Sequence, residues 1–268
     1  MEHRPRKRFG QNFLHDPGTI RRILAAVAPR PDQHLVEIGP GQGAITEGLL
    51  RAAGSLDVVE LDRDLVGPLQ QRLGELGELR IHNADALKFD LCALRPTQDL
   101  SGDKAGLRIV GNLPYNISTP LLFRFLDQAR CIDDLHLMLQ KEVVDRICAG
   151  PGSKTYGRLS VMVQTWCSAE RLLVIGPGAF NPPPKVDSAV IRLIPHRPPR
   201  CPVADAPLHA RLVAAAFAQR RKTLRNSLKG LAEASLLMAC GIEPTARAET
   251  VSVCDYARLA NAASEQCA

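Results

Sequence analysis

Short apolar runs alternate with helical segments over most of this chain, and the alternation limits its possible folds more than any other feature. The runs are rich in Val, Ile and Leu, and most are followed by apolar residues at helical spacing. Strands that alternate with helices form a mainly parallel sheet covered on both faces. Such sheets bind ligands beyond the carboxyl ends of their strands. Strands are predicted at 34–39, 56–62, 79–85, 107–112, 135–141, 170–176 and 188–194.

The segments between the strands carry helix signals. The clearest helix starts after Asp16, a suitable N-cap, with Pro17 in the first helical position. Its apolar residues Ile20, Ile23 and Val27 share one face. Further helices are predicted at 44–53, at 64–76, through Val143 and Val144, and at 158–166.

A proline-rich segment divides the chain near its C-terminal quarter. Five of the thirteen residues 195–207 are proline, which is typical of a linker. The sequence after it has helical periodicity and few β-branched residues. We therefore predict an α/β domain over 1–202 and a small all-helical domain over 203–268.

The basic residues of the chain are concentrated in two segments. The net charge is +6, but residues 1–30 carry +5 and residues 196–230 carry +7, so the rest of the chain is at −6. Clustered Lys and Arg on an otherwise acidic protein favour a polyanion bound at defined faces. Arg221 and Arg225, four apart, are expected on one helical face. The predicted RNA contacts are Arg6, Lys7, Arg8, Arg220, Arg221, Lys222 and Arg225.

Cysteine usage and hydropathy indicate a cytoplasmic protein. The eight cysteines include no CxxC pair, so we expect free thiols in a reducing cytosol and predict no metal site. No run of 18 apolar residues occurs, and no apolar signal core follows the basic N-terminus. We expect a monomer that contacts no membrane.

A glycine-rich turn joins the first predicted strand of the sheet to its helix. Gly39, Gly41 and Gly43 permit close backbone approach to a ligand, and the helix N-terminus behind them favours polar groups. Glu60 ends the next strand, where its carboxylate can accept hydrogen bonds from both hydroxyls of a ribose. Asp85 ends the third strand, where it can accept from an adenine amine. The pattern indicates an adenosine-type cofactor, either a nicotinamide nucleotide or S-adenosylmethionine.

The segment Asn112-Leu113-Pro114-Tyr115 follows the fourth strand and suits a planar base that bears an amino group. Asn112 offers an acceptor oxygen. Pro114 keeps Leu113 out of a helix, so the Leu113 carbonyl can act as a second acceptor. Tyr115 offers a flat stacking face. The amine of adenine is a poor nucleophile, and two acceptors on its hydrogens help to aim its lone pair at an electrophilic methyl group.

A second aromatic residue precedes a rigid segment. Phe180 stands just before Pro182-Pro183-Pro184 and upstream of the last strand. The prolines can hold Phe180 at the rim of the same pocket, where it and Tyr115 would sandwich a base taken out of its stack. The catalytic residues predicted in this way are Asn112, Leu113, Tyr115 and Phe180.

Taken together, these segments resemble the small-subunit ribosomal RNA adenine dimethyltransferases. The resemblance rests on “KRFGQNFLHD”, “VEIGPGQGAIT”, “VVELDRDL”, “NADAL”, “GNLPYNISTPLLF”, “LQKEVVDRI”, “YGRLSV”, “FNPPPKVDS” and “AFAQRRKTLRNSL”, which run from residue 7 to residue 228. It implies a Rossmann-like class I methyltransferase fold whose last strands are partly antiparallel. It also implies that “GQNFL” closes over S-adenosylmethionine.

The resemblance further implies a reaction and a set of cofactor contacts. Four methyl groups are transferred to two adjacent adenosines near the 3′ end of small-subunit rRNA, in an assembling 30S-type particle. The implied cofactor contacts are Asn12, Leu14, Gly39, Glu60, Asp85 and Asn112.

Three other functions remain open at the level of sequence. A large-subunit rRNA methyltransferase of the macrolide-resistance type shares the Asn-x-Pro-Tyr motif. A non-catalytic rRNA-binding assembly factor would retain the fold, although intact Asn112, Tyr115 and Glu60 argue against lost catalysis. A dehydrogenase fits the glycine turn but gains no support from the Asn-Leu-Pro-Tyr and Phe-Asn-Pro-Pro-Pro segments.

Overall fold

The computed structural model describes residues 11–95 and 106–267. The basic arm with Arg6, Lys7 and Arg8 lies outside these residues. The chain divides into two compact units. The first contains the described residues up to Val144 together with Glu170–Pro195, and the second contains Asp145–Ala169 and the residues from His196 onward.

The first unit is built on a β-sheet. The strands are β1 Phe13–Leu14, β2 His34–Ile38, β3 Ser55–Glu60, β4 Glu78–Asn83, β5 Leu107–Asn112, β6 Ile132–Gln140, β7 Cys167–Ile175, β8 Phe180–Asn181 and β9 Ser188–Pro195. Seven of these strands form one sheet with the order β4-β3-β2-β5-β6-β9-β7. Neighbours from β4 to β6 are parallel, and β9 pairs antiparallel with β6. This arrangement confirms the predicted mainly parallel sheet with an antiparallel strand near its end.

Helices follow several of these strands, and the first helix has the start predicted for it. Asp16 accepts a hydrogen bond from the Thr19 N–H at 2.6 Å, and Pro17 opens the helix. The helix buries Ile23 and Val27 against the sheet unit's core. The helices are α1 Pro17–Val27, α2 Thr46–Ala53, α3 Arg63–Leu73, α4 Ser118–Asp127 and α5 Lys141–Ile147.

Most residues of the central strands are buried, because the helices cover both faces of the sheet. Leu35, Leu56, Val58 and Ile109 are fully buried. Burial on both faces ends at the carboxyl edge, where the strands pass into loops. Glu60 and Asn112, which were predicted for the site, are the last residues of β3 and β5, and Asp85 lies just beyond the end of β4.

The second unit is helical. Its helices are α6 Arg158–Gln164, α7 Ala206–Ala218, α8 Leu224–Ser227, α9 Ala234–Ala239 and α10 Val253–Cys267. Its own core contains Tyr156, Val161, Leu212 and Tyr256. The predicted boundary at residue 202 differs from this division, because Tyr156 and Val161 pack with helices some 50 residues further along the chain.

The expected helical face with Arg221 and Arg225 is not present. Helix α7 ends at Ala218, and the chain turns before α8 begins at Leu224. The turn is held because Thr223 is extended and forms a β-bridge with Arg247. Arg221 therefore lies in the turn, and Arg225 lies in α8.

Two pairs of cysteines correct the expectation of free thiols. Cys92 is bonded to Cys131, and Cys201 is bonded to Cys254. The partners are 39 and 53 residues apart, so their proximity follows from the fold and not from any local spacing. Cys167 and Cys240 are buried thiols.

Over residues 11–95 and 106–267, no helix combines the length and the apolar character needed to cross a bilayer.

Candidate active site

A cavity of about 250 Å³ opens at the carboxyl ends of β2, β3 and β5. Its walls come from four segments: the strap 11–14, the glycine turn after β2, the ends of β3 and β4, and the loop after β5. Of the residues predicted for the site, eight line it: Asn12, Leu14, Gly39, Glu60, Asp85, Asn112, Leu113 and Tyr115. Their individual roles stay predictions.

The glycine turn has the backbone that the sequence led us to expect. Gly39, Gly41 and Gly43 have φ of 67°, 57° and 77°, a region that L-residues with a Cβ rarely occupy. A Cβ on Gly41 would lie 3.1 Å from the ring of Phe13. The turn thus brings bare backbone to the cavity wall and also accommodates the strap.

Two carboxylates near neighbouring strand ends line the cavity, and that of Glu60 bonds to this turn. Glu60 accepts hydrogen bonds from the N–H of Gly41 at 3.2 Å and of Asp62 at 2.8 Å. Burial raises the pKa of Glu60, and those backbone bonds oppose the rise. Asp85, beyond the end of β4, accepts from the Leu87 N–H at 3.0 Å. Both side chains are held by local backbone while they line the cavity.

Glu37 is a cavity residue that the sequence analysis missed. It is 1% exposed, and burial, together with the negative charge of Glu60, raises its pKa to about 7. Among the described residues, Glu37 Oε2 has no hydrogen-bond partner. An unpaired buried carboxylate oxygen on a cavity wall is suited to a cationic group of a ligand. The available signal was an acidic residue inside the apolar run “HLVEI”.

The loop after β5 carries the predicted base-binding residues. The side-chain amide of Asn112 donates to the carbonyl of Asn12 at 3.2 Å, so its oxygen is left as the acceptor. The N–H of Leu113 donates to the carbonyl of Met138 at 3.1 Å, and the Leu113 side chain is 1% exposed. The role predicted for Leu113 concerns its backbone carbonyl and does not require this buried side chain. Tyr115 is half-buried, and burial raises the pKa of its phenol.

The strap is fixed across the cavity by several contacts. Its strand β1 pairs antiparallel with β8, with Phe13 opposite Asn181. Gln11 donates to Asp62 at 3.3 Å, and the Asn12 carbonyl accepts from Asn112. Phe13 lies against Gly41. The strap thus contacts both the glycine turn and the loop after β5, which carries the predicted base-binding residues.

Phe180 does not match its predicted place at the rim. It is 2% exposed, packs in the core of the sheet unit, and is absent from the cavity lining over the described residues. The reason is the strand pairing: in β8, Phe180 faces inward and Asn181 faces solvent. Among the described residues, the aromatic side chains that line the cavity are those of Phe13 and Tyr115.

The basic residues of the helical unit form an exposed surface around the turn after α7. Arg220, Arg221, Lys222 and Arg225 are all exposed. The guanidinium of Arg220 donates to the carbonyl of Lys154, which joins this turn to a second exposed loop within the unit. Over the residues that the structure describes, no ion pair is recorded for these four side chains.

Proteins with similar folds have been solved. A dimethyladenosine transferase from Plasmodium falciparum has a TM-score of 0.77 at 24% identity, over 92% of this chain and 95% of that one. A 23S rRNA methyltransferase, ErmE, has a TM-score of 0.72 at 26% identity, over 94% of this chain and 100% of that one. These likenesses support the methyltransferase fold.

Sequence relatives are closer and cover almost the whole chain. The ribosomal RNA small subunit methyltransferase A of Methylococcus capsulatus is 55% identical over 262 residues, 97% of this chain and 98% of that protein. The protein of the same name from Pseudomonas putida is 53% identical over 265 residues, 99% and 97% of the two chains. A sequence model of the family described as “Ribosomal RNA adenine dimethylase” matches residues 2–265. The chain therefore belongs to the ribosomal RNA adenine dimethylase family.

Proposed function

We propose that this protein uses S-adenosylmethionine to dimethylate the exocyclic N6 amines of two adjacent adenosines near the 3′ end of small-subunit (16S) rRNA, during small-subunit biogenesis. The observation that carries the proposal is the shared cavity. The cavity is lined both by a turn suited to an adenosine cofactor and by a loop suited to a base that carries an amino group.

The residues present fit S-adenosylmethionine. Glu60 is assigned to the ribose hydroxyls, Asp85 to the adenine amine, and the glycine turn to close backbone contact. Glu37 adds a carboxylate for the ammonium of the methionine portion, which would give its unpaired oxygen a partner. Asn12 and Leu14 cover the site from the strap. When bound, the cofactor supplies an electrophilic methyl group on a sulfonium sulfur.

The base-binding loop would orient the amine for attack. The Asn112 oxygen and the Leu113 carbonyl accept the two N6 hydrogens, and Tyr115 stacks on the base. An adenine held in this way would aim its N6 lone pair at the methyl group that the cofactor supplies, and the methylated amine would release a proton to solvent. Hydrogen bonds to the two acceptors strengthen as positive charge develops on N6, which lowers the barrier. In the second transfer only one hydrogen remains, so one acceptor is then dispensable.

Substrate binding is assigned to the basic surface of the helical unit. Arg220, Arg221, Lys222 and Arg225 would contact rRNA phosphates, with Arg6, Lys7 and Arg8 of the N-terminal arm. Phosphate contacts carry no sequence information, so we assign the choice of adenosines to rRNA shape in an assembling 30S-type particle. We further propose that the protein acts as a monomer in the cytoplasm, a location that the rRNA substrate supports, since the two disulfides remove free thiols as a reason for it.

The large-subunit alternative is the less supported one. Identity to small-subunit relatives is 53% and 55% in the two cases above, against 26% to the 23S rRNA enzyme. The assembly-factor alternative does not account for a complete cofactor-type cavity.

One labelling experiment tests the proposed function. The protein is incubated with radiolabelled S-adenosylmethionine and small subunits that lack the modification, with large subunits in parallel. We expect label in dimethyladenosine of the small-subunit rRNA. Label confined to large-subunit rRNA, or no label in either, would overturn the proposal.

A further inference from the structure

Ser188 is a buried residue that contacts the base-binding loop and has no role in the reaction described above. Its Oγ lies 2.6 Å from the phenol oxygen of Tyr115, and the residue is 0% exposed. It is the last residue of the segment “FNPPPKVDS”, whose aromatic residue Phe180 proved to be a core side chain. The contact with Tyr115 gives this segment a connection to the cavity.

Strand register explains why Ser188 lies beside the loop. In the antiparallel pair of β6 and β9, Gln140 is opposite Ser188. In the parallel pair of β5 and β6, Asn112 is opposite Met138, whose carbonyl accepts from the Leu113 N–H. The loop is therefore attached to β6 through its backbone and to β9 through the Tyr115 phenol.

The hydroxyl contact holds the ring of Tyr115 at its far end. Ser118 Oγ donates to the Tyr115 carbonyl at 3.1 Å, so the backbone of Tyr115 is held as well. A ring fixed at its backbone and at its phenol has little freedom to rotate. Breaking the contact would leave the fully buried Ser188 hydroxyl without its partner, which carries a desolvation cost.

We propose that Ser188 is a positioning residue for Tyr115: its hydroxyl fixes the plane of the ring so that the target adenine stacks with its amine at Asn112. This inference rests on the proposed function. It assigns the phenol oxygen of Tyr115 to a structural bond and leaves the face of the ring to the base. The hydroxyl pair accordingly matters for orientation and not for affinity.

Three variants test the inference by steady-state kinetics on small subunits: Ser188→Ala, Tyr115→Phe and the double variant. Tyr115→Phe keeps the ring and removes only the hydroxyl. We expect each single change to lower kcat about tenfold, in line with one hydrogen bond. We expect the double variant to lose the same tenfold, because either change alone breaks the same contact. KM for subunits and the Kd for S-adenosylmethionine should stay within about twofold.

Ser188→Thr and Ser160→Ala serve as controls. Ser188→Thr retains a hydroxyl on a strand that favours Thr and should restore most of kcat. Ser160 is equally buried, and its hydroxyl bonds to the Arg146 carbonyl in the helical unit. Ser160→Ala should lower the thermal midpoint and leave kcat unchanged. If Ser188→Ala does not fold, Tyr115→Phe against wild type still measures the loss of the contact.

Two results would overturn the inference while the proposed function stands. One is wild-type kcat in Ser188→Ala or in Tyr115→Phe. The other is a multiplicative loss, about a hundredfold, in the double variant. An inactive wild type on small subunits would instead overturn the proposed function itself.

Discussion

At the scale of single residues, the active site contains acidic groups whose burial lowers the stability of the empty protein. Glu37 is the clearest, with a pKa raised to about 7 by burial. Because the pKa of Glu37 is higher in the folded protein than in the unfolded chain, protonation of Glu37 favours folding. This contribution to stability is complete below the unfolded pKa, near 4.5, and is lost as the pH rises through 7. At pH 8 the folded protein must therefore hold an ionised carboxylate in a buried place.

Glu37→Gln should consequently stabilise the empty protein at high pH and weaken cofactor binding. Denaturant unfolding should show the two proteins nearly equal at pH 4.5. At pH 8 the variant should be more stable by up to about 3 kcal/mol, because a pKa unit is worth about 1.4 kcal/mol. The Kd for S-adenosylmethionine, measured by calorimetry, should rise at least about tenfold through the loss of a charged hydrogen bond. A stability difference that does not change with pH would contradict this assignment.

Residue types at strand ends were predictable, but their surroundings were not. Glu60, Asp85, Asn112 and Tyr115 lie on one cavity because parallel strands end at one edge, which periodicity alone indicates. The burial of Phe180 follows from its pairing opposite Leu14, a partner more than 160 residues away in sequence. A contact between residues so far apart in sequence cannot be predicted from a local sequence pattern.

At the scale of elements, the glycine turn and the strap depend on each other. Gly41 needs φ of 57° for the turn and also leaves room for the ring of Phe13. A side chain at residue 41 would strain the turn and push the strap away from the cavity.

Gly41→Ala can be matched with Gly54→Ala to separate these two effects. Gly54 has φ of 77° at the end of α2, and a Cβ there would meet nothing within 4 Å. Each change should cost about 1–2 kcal/mol of unfolding free energy, because both place Ala in the left-handed region. Only Gly41→Ala should also raise the Kd for S-adenosylmethionine, by about tenfold or more, in a calorimetric titration. Equal cofactor affinity in the two variants would show that the strap does not depend on Gly41.

Elements with strong local signals were predicted well. The strand over 107–112 has its predicted bounds, and α1 starts at its predicted cap. The break between α7 and α8 was not predicted, because the sequence around Thr223 favours a helix. The bridge from Thr223 to Arg247 and the bond from the Leu224 N–H to the Ala246 carbonyl outweigh that preference.

At the scale of the whole molecule, charge and domain composition point to a polyanionic substrate. Residues 1–30 carry a net charge of +5 and residues 196–230 carry +7, whereas the rest of the chain is at −6. The extent of the helical unit was only partly predictable. The segment 145–169 joins it through core contacts and not through the proline-rich linker.

Neutralising Arg221 and Arg225 should weaken binding to small subunits in a salt-dependent way. We expect Arg221→Gln/Arg225→Gln to raise the Kd at moderate salt and to make the plot of log K against log salt less steep by about 1–2, since each phosphate contact contributes about 0.7–0.9. The control is Arg30→Gln/Arg51→Gln, which removes the same charge from exposed residues paired with Asp32 and Glu47. Equal slopes for the two double variants would contradict a specific role of the basic surface.

The count and position of methyl groups test the central claim most directly. Small subunits lacking the modification are incubated with excess S-adenosylmethionine and either wild-type protein or Asn112→Ala, and the rRNA is analysed by mass spectrometry. We predict four added methyl groups, on two adjacent adenosines, with the wild type. Asn112→Ala should bind the subunits and lose about 100- to 1,000-fold in rate, as when one transition-state hydrogen bond is removed. Methyl groups on any other nucleotide, or wild-type turnover in Asn112→Ala, would contradict the account.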